Sequence, residues 1–218
     1  MSISEPLFPR WVDRLRPLAG AALVLVPTYL LAMAYYAGSP TTTDVGYSPR
    51  QPLPFSHMQH AGDLGIDCRY CHTTVASAAF AAVPPTQTCL NCHERIAVDS
   101  DKLVLVRESA ASGKPIRWVK VHDLPDYAYF DHSAHVARGV GCASCHGRID
   151  TMEQVTQVER LSMGWCLECH RNPEPHLRPL DAVTVMDYQS AEPQEVLGPR
   201  LRAQRNINPP VDCSACHR

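Results

Sequence analysis

The pattern C-x-x-C-H occurs five times in this chain, and it constrains the fold more than any other feature. The runs are Cys68-Arg-Tyr-Cys71-His72, Cys89-Leu-Asn-Cys92-His93, Cys142-Ala-Ser-Cys145-His146, Cys166-Leu-Glu-Cys169-His170 and Cys213-Ser-Ala-Cys216-His217, and together they use all 10 cysteines. Two thiols three positions apart, followed at once by histidine, form the attachment signature of c-type haem. The thiols add to the haem vinyl groups as thioethers, and the histidine is held beneath the iron as a proximal ligand. Five haem c groups are therefore expected. No cysteine remains for a disulfide or a nucleophile. Structural zinc takes four ligands, so five pairs would leave one without a partner, and zinc does not ask for a histidine after every second cysteine. Thioredoxin-like chemistry uses one such motif inside a βαβ pattern, and iron–sulfur ligation uses closer cysteine runs; neither is present.

Marking the motifs uncovers a repeat. Phe55-Ser-His57-Met-Gln-His60 precedes the first two motifs, and Phe130-Asp-His132-Ser-Ala-His135 precedes the third and fourth. Each unit, residues 55–93 and 130–170, reads F-x-H-x-x-H followed by two haem motifs, and the fifth motif, 213–217, stands apart. Of 11 histidines, five follow the cysteines, leaving His57, His60, His122, His132, His135 and His176. Low-spin electron-transfer haems have both axial positions filled, and this supply covers five distal positions with one to spare. His57, His60, His132 and His135 are expected as distal ligands. Histidines at i and i+3 share one helix face but diverge by about 60 degrees, so they can serve two neighbouring irons. For the fifth position His122 is preferred over His176, with Met58 or Met163 as a potential-raising alternative. Asp126, Tyr127 and Tyr129 near His122 read as packing and propionate contacts rather than a proton relay. No nucleophile–base pair, paired-carboxylate site or phosphate loop is visible, so no catalytic residue is assigned.

Residues 1–40 read as a cytoplasmic stub and a transmembrane anchor. Leu18 to Ala37 carries no charge, and its 20 residues reach about 30 Å as a helix, one hydrocarbon thickness. Arg10, Arg14 and Arg16 precede it, so the positive-inside rule leaves the N-terminus in the cytoplasm and sends residues 41–218 across the inner membrane to the periplasm. Trp11 and Tyr35-Tyr36 suit the two interfaces. Ala32-Met33-Ala34 resembles a processing site, but retention as an anchor is the expectation. Pro27 should kink the helix slightly, with Thr28 helping to accommodate it.

The remaining chain must enclose five haems with roughly 36 residues apiece, so the macrocycles themselves are expected to serve as the core. Aromatic content is 7% and there are 19 prolines, which suits irregular chain. The fold class expected is mainly irregular, with short α-helices packed around five covalently bound haems and one N-terminal transmembrane helix. A helix is expected from a Ser100 cap to about Ala111, ended by Gly113 and Pro115. Ile116–Val121 alternates like a short strand, and Thr151–Trp165 has apolar residues every third position, like an amphipathic helix. Proline-rich residues 171–212 are expected to wrap the surface as an extended strap. The formal charge of −2 becomes roughly −7 with five ferric haems and their propionates, which argues against nucleic acid as a partner. Of 20 basic residues 17 are arginine, the better fork for carboxylates.

With these residues in view, the chain resembles the pentahaem cytochrome c subunit of bacterial alternative complex III, a class III-like multihaem cytochrome c in a quinol oxidoreductase. The resemblance spans nearly the whole chain. It rests on Phe55 to His60, Val83-Pro-Pro-Thr-Gln-Thr-Cys89, Val121-His-Asp-Leu-Pro-Asp-Tyr127, Phe130 to His135, Trp165-Cys-Leu-Glu-Cys-His-Arg171 and Asn208-Pro-Pro-Val-Asp-Cys213. It implies an electron carrier in a respiratory or photosynthetic complex, not an enzyme in its own right. Quinol would be oxidised in a polytopic membrane subunit, with electrons arriving through an iron–sulfur subunit. They would leave for a monohaem cytochrome c, a copper protein or a terminal oxidase. The competing expectation is a stand-alone, membrane-anchored multihaem quinol dehydrogenase with an open or weakly ligated haem.

Overall fold

The structure is a computed structural model that describes Pro9, residues 11–37 and residues 43–217. Arg10 and the rest of the N-terminal stub lie outside the described residues, as do 38–42 and Arg218. The chain divides into two compact units, residues 1–42 and 43–218.

The first unit contains helix α1, Val12–Ala37. Its 26 residues span about 39 Å, and it is long and apolar enough to cross a membrane. Leu23, Leu31 and Tyr35 are among its fully outward side chains. Pro27 lies inside the helix, and its missing N–H leaves the Leu23 carbonyl without its ladder donor. The Thr28 hydroxyl donates to the Val24 carbonyl (2.8 Å), the i−4 back-bond that tends to bend a helix.

The second unit is built from short helices: α2 Cys68–Cys71, α3 Thr86–His93, α4 Val104–Ser112, α5 His132–Arg138, α6 Ala143–His146, α7 Met163–Arg171, α8 Gln194–Gln204 and α9 Cys213–Cys216. A π-helical turn occupies Met58–Asp63, and 3-10 turns occupy 101–103, 149–151, 174–176 and 180–182. Among the described residues, β pairing is limited to two isolated bridges, Ala128 with His217 and Val140 with Leu177.

Three sequence expectations need correction. Thr151–Trp165 is not one helix; within it only the end, from Met163, is α-helical. Residues 154–157 run extended against 46–48, with Gly46 N to Gln157 O at 2.8 Å and Gln157 N to Tyr47 O at 3.0 Å. Val155, Thr156 and Val158 are β-branched and lose χ1 freedom in a helix, and Leu161 takes a positive φ of 49° that no α-helix allows. Ile116–Val121 is extended but forms no strand, because its partner is a side chain. The Gln51 amide donates to the Val119 carbonyl (2.9 Å) and accepts from Val119 N (3.0 Å), which replaces one rung of a ladder.

The third correction concerns the proline-rich stretch, which is no surface strap. Leu177, Ala182, Val183, Met186, Leu197, Leu201 and Ile207 are all buried, and they form most of the conventional core. Leu177, Leu197, Leu201 and Ile207 cluster, with Val140 and Tyr188 packed alongside. Each fully buried aliphatic side chain contributes about 1.5–3 kcal/mol. Helix α8 lies on the 174–176 turn so closely that a Cβ on Gly198 would overlap the Glu174 backbone. Gln194 Nε2 donates to the Glu174 and Leu177 carbonyls (2.7 and 3.0 Å). Prolines in this stretch set turns between buried segments rather than keeping the chain outside.

Residues 100–113 hold closer to expectation. Residues 101–103 form a 3-10 turn that leads into α4, and Gly113 ends it in the left-handed region at φ 68°. Ser100 precedes it in extended conformation but makes no side-chain cap. Val106 is fully buried, and the Thr86 hydroxyl donates to that of Ser109 (2.6 Å), pinning α4 to α3.

Candidate metal centres

All five C-x-x-C runs sit on helical turns. One helical turn places cysteines i and i+3 on a common face, and the histidine that follows closes each site. Two of the three four-residue helices, α2 and α9, are capped from just before the first cysteine. Asp67 accepts from Arg69 N (2.8 Å) and Asp212 from Ala215 N (3.1 Å), satisfying donors that a four-residue helix cannot pair itself. The Arg69 guanidinium beside Asp67, helped by the Thr184 hydroxyl, holds that carboxyl well below the usual carboxylate range. None of the cysteines is paired in a disulfide; their thiols stand where thioether sulfurs would be.

Seven of the histidine rings share one way of being held. Nδ1 meets a backbone carbonyl in His60 (Ser56 O, 2.8 Å), His72 (Ala82 O, 2.8 Å), His93 (Ile96 O, 3.0 Å) and His132 (Ala79 O, 2.8 Å). The same contact occurs in His135 (Asp131 O, 2.7 Å), His170 (Pro210 O, 2.7 Å) and His217 (Tyr127 O, 3.1 Å). A carbonyl can only accept, so Nδ1 carries the proton and Nε2 keeps its lone pair for a metal. Burial also disfavours the imidazolium. It pushes His57 down to about 4, with His72 and His60 nearby adding to the shift, and His146 to about 3. Burial lowers His122 and His135 as well. Burial thus favours the neutral form of these four rings.

The rings come in pairs. His60 and His93 lie 6.2 Å apart between centroids, as do His135 and His170. Two imidazoles on opposite sides of one metal, with bonds of about 2.0 Å and ring centres about 1.1 Å behind each nitrogen, would be separated by about 6.2 Å. The two observed separations match that value. His132 lies 6.5 Å from His146 with rings 11° from parallel, and His57 is within electrostatic reach of His72. Phe55 stacks on His60 (4.4 Å, 27°) and meets His57 edge-on (4.9 Å, 87°). Phe130 stacks on His135 (4.5 Å, 28°) and meets His132 edge-on (4.7 Å, 87°). The aromatic residue of the repeat therefore sets the angle between the two rings that follow it. The sequence showed its recurrence but not that role.

The remaining candidates are placed as follows. His122 lies 4.4 Å from His146 with rings at 76°, too close for an iron to sit between them, and its buried Nε2 has no partner. The ring beside His217 is Tyr127, 5.9 Å away. His176 is half-buried in the 174–176 turn, and its carbonyl accepts from Gly141 N (3.2 Å). Met163 is two-thirds exposed at the start of α7, and Met58 opens the π-helical turn.

These residues fit c-type haem. Thiol pairs stand one helical turn apart, imidazoles are locked through Nδ1, and ring pairs carry the spacing of two ligands on one metal. The buried Nδ1 atoms of His57 and His146 also lack a protein partner. Among the described residues, no cluster of three or more His, Cys, Asp or Glu side chains is set up to cage a bare ion. Second-sphere carbonyls at Ser56, Ala79, Ala82, Ile96, Tyr127, Asp131 and Pro210 carry no side-chain signal, so no sequence motif could have announced them.

Comparison with known proteins agrees. Residues 128–218, which contain the third, fourth and fifth motifs, match the family model described as cytochrome c7 and related cytochrome c. Over 97 residues the chain is 36% identical to the multiheme cytochrome c subunit of menaquinone reductase from Nitratidesulfovibrio vulgaris (strain Hildenborough), covering 44% of this chain and 45% of that protein. The chain thus spans under half the length of this relative. It is a homologue of a multihaem cytochrome c subunit, with motifs built for covalent c-type haem.

Proposed function

We propose that this chain is the electron-transfer subunit of a membrane quinone-linked complex, holding five c-type haems and performing no bond chemistry on a substrate. The carrying observation is the pairing of imidazoles at 6.2 Å, each with Nδ1 tied to a carbonyl. Bound in such sites, c-type haem supplies reversible one-electron chemistry at its iron. The chain's own residues do the rest. Ten thiols fix the macrocycles, the carbonyls orient the rings, and Phe55 and Phe130 set the angle between adjacent imidazoles. His72, His93, His146, His170 and His217 act as proximal ligands. His57, His60, His132 and His135 act as distal ligands, leaving those positions closed to substrate.

The relative's membership of a menaquinone reductase supports the quinone link. Quinol oxidation, supply by an iron–sulfur subunit and delivery to a periplasmic cytochrome, copper protein or terminal oxidase follow from the resemblance to alternative complex III. Helix α1 serves as a single-pass anchor with the haem domain outside the cytoplasm. Purification in mild detergent without crosslinking tests the assignment. Iron–sulfur and polytopic membrane subunits should copurify. A stable lone chain that oxidises quinol would establish the stand-alone dehydrogenase instead.

A further inference from the structure

The five attachment motifs need not be neighbours in the order they occur along the chain, and their contacts define another order. Motif 1 meets motif 2 through their variable residues, Asn91 Nδ2 donating to the Tyr70 hydroxyl (3.1 Å). Cys71 also lies within electrostatic reach of Cys89 and Cys92. On its other side motif 1 meets motif 3. The Cys68 and Cys142 thiols lie close enough to perturb one another. The backbone binds these two motifs together as well. Ala79, just past motif 1, accepts from both His132 N (3.1 Å) and His132 Nδ1 (2.8 Å). Thr184 donates to Asp67 (2.7 Å), while its neighbour Val183 accepts from Cys142 N (3.0 Å).

Motif 3 is joined to motif 4 through α5, whose His132 faces His146 while His135 faces His170. Cys145 lies within reach of Cys166 and Cys169. Motif 4 meets motif 5 where His170 Nδ1 donates to Pro210 O (2.7 Å), and Cys166 is within reach of Cys216. Exposure follows the same row. Among the cysteines only Cys92 of motif 2 and Cys213 of motif 5 are exposed; the other eight are partly covered. A row should expose its ends, and these are the ends.

We infer that the haem sites form a single row in the order second, first, third, fourth, fifth, so that the two repeat units join through their first motifs and electrons enter and leave at motifs 2 and 5. This deepens the relay reading and rests on it. Each transfer oxidises one iron as it reduces its neighbour, with no proton or bond change required. Chain order would instead join the units through motifs 2 and 3 and put motif 1 at an end.

The test uses the full membrane chain in its purified complex. A ruthenium photoreductant is attached to a cysteine placed at Val211, an exposed position two residues before Cys213. Flash reduction then counts the haems that fill in the fast phase. Cys68→Ala with Cys71→Ala removes the first haem; Cys89→Ala with Cys92→Ala removes the second; a pyridine haemochrome count of four verifies each. The inferred order predicts that three of four haems fill rapidly in the first variant, because the second haem is cut off, and all four in the second. Chain order predicts the reverse, and that outcome overturns the inference. If only one variant accumulates, its count alone decides between the two orders. If neither does, iron positions in a map of the unmodified complex decide. The iron at His72 should have two near neighbours, at His93 and His146; an iron at His72 with the His93 site as its only near neighbour overturns the order. Failure of the unmodified chain to transmit electrons would reject the relay reading itself, an outcome distinct from a wrong order.

Discussion

The two repeat units reach the same ring geometry on different backbones. In the second, His132 and His135 stand on helix α5; in the first, His57 precedes and His60 lies within a π-helical turn. Eleven positions separate His57 from Cys68 but ten separate His132 from Cys142. One inserted residue is what a π-turn absorbs, and the turn closes through Leu64 N to Gln59 O (3.1 Å). Yet the Phe–His centroid distances of the two units agree within 0.2 Å. What is held constant is the placement of two imidazoles, and the backbone adjusts to preserve it.

The largest expected break in this comparison is at Gly62. A Cβ there would overlap the carbonyl oxygen of Asp150, whereas the equivalent position of the second unit already carries Ala137. Gly62→Ala should therefore cost about 1–3 kcal/mol through backbone displacement, read as a lower guanidinium midpoint of the holoprotein. Next come the stacked rings. Phe55→Ala and Phe130→Ala should each cost about 1–3 kcal/mol, less than for fully buried rings because both are half-exposed. The two losses should be similar, and each should alter the low-spin EPR envelope. A loss confined to one unit would mean that the shared geometry is not a shared support. Ala137→Gly should cost only about 0.5–1 kcal/mol in midpoint stability.

The smallest effect concerns the cap. Asp131 accepts from Ser133 N and Ala134 N at the start of α5 (2.8 and 3.3 Å), while the first unit uses Ser56, whose hydroxyl accepts from Gln59 N (3.0 Å). The Ser133 hydroxyl and these amides hold the Asp131 carboxyl below its ordinary value. Its contribution is full above the ordinary aspartate range and is lost as pH falls through the lowered value. Asp131→Asn should keep the cap while flattening that acid dependence. Thermal midpoints between pH 3 and 6 check this (roughly the span around ordinary carboxylate values), and no comparable change should follow Ser56→Ala.

What the sequence disclosed follows from where the physics is local. Each motif's cysteines and histidine are adjacent in the chain, so every attachment motif was legible from five residues. The F-x-H-x-x-H repeat announced which histidines belong together. Which proximal ring each distal ring faces was not legible, since His60 meets His93 across 33 positions that no local pattern encodes. Residues 152–162 misled because an apolar period of three also suits chain laid extended against a neighbour. Prolines in 171–212 were read as surface markers, although Leu177, Leu197 and Leu201 bury themselves between them. Gln51 could not be foreseen as a substitute strand for Val119, because it lies 68 positions away.

Carbon monoxide binding to the reduced holoprotein, measured beside its His60→Ala and His135→Ala variants, tests the imidazole pairing most directly. In the unmodified protein the Soret contribution of the haems at His93 and His170 should be unmoved by the gas. Each variant should gain one carbon monoxide site per chain, in equal measure for the two units. Variants that bind no more gas than the unmodified protein would show that His60 and His135 do not close those irons, and the account would fail.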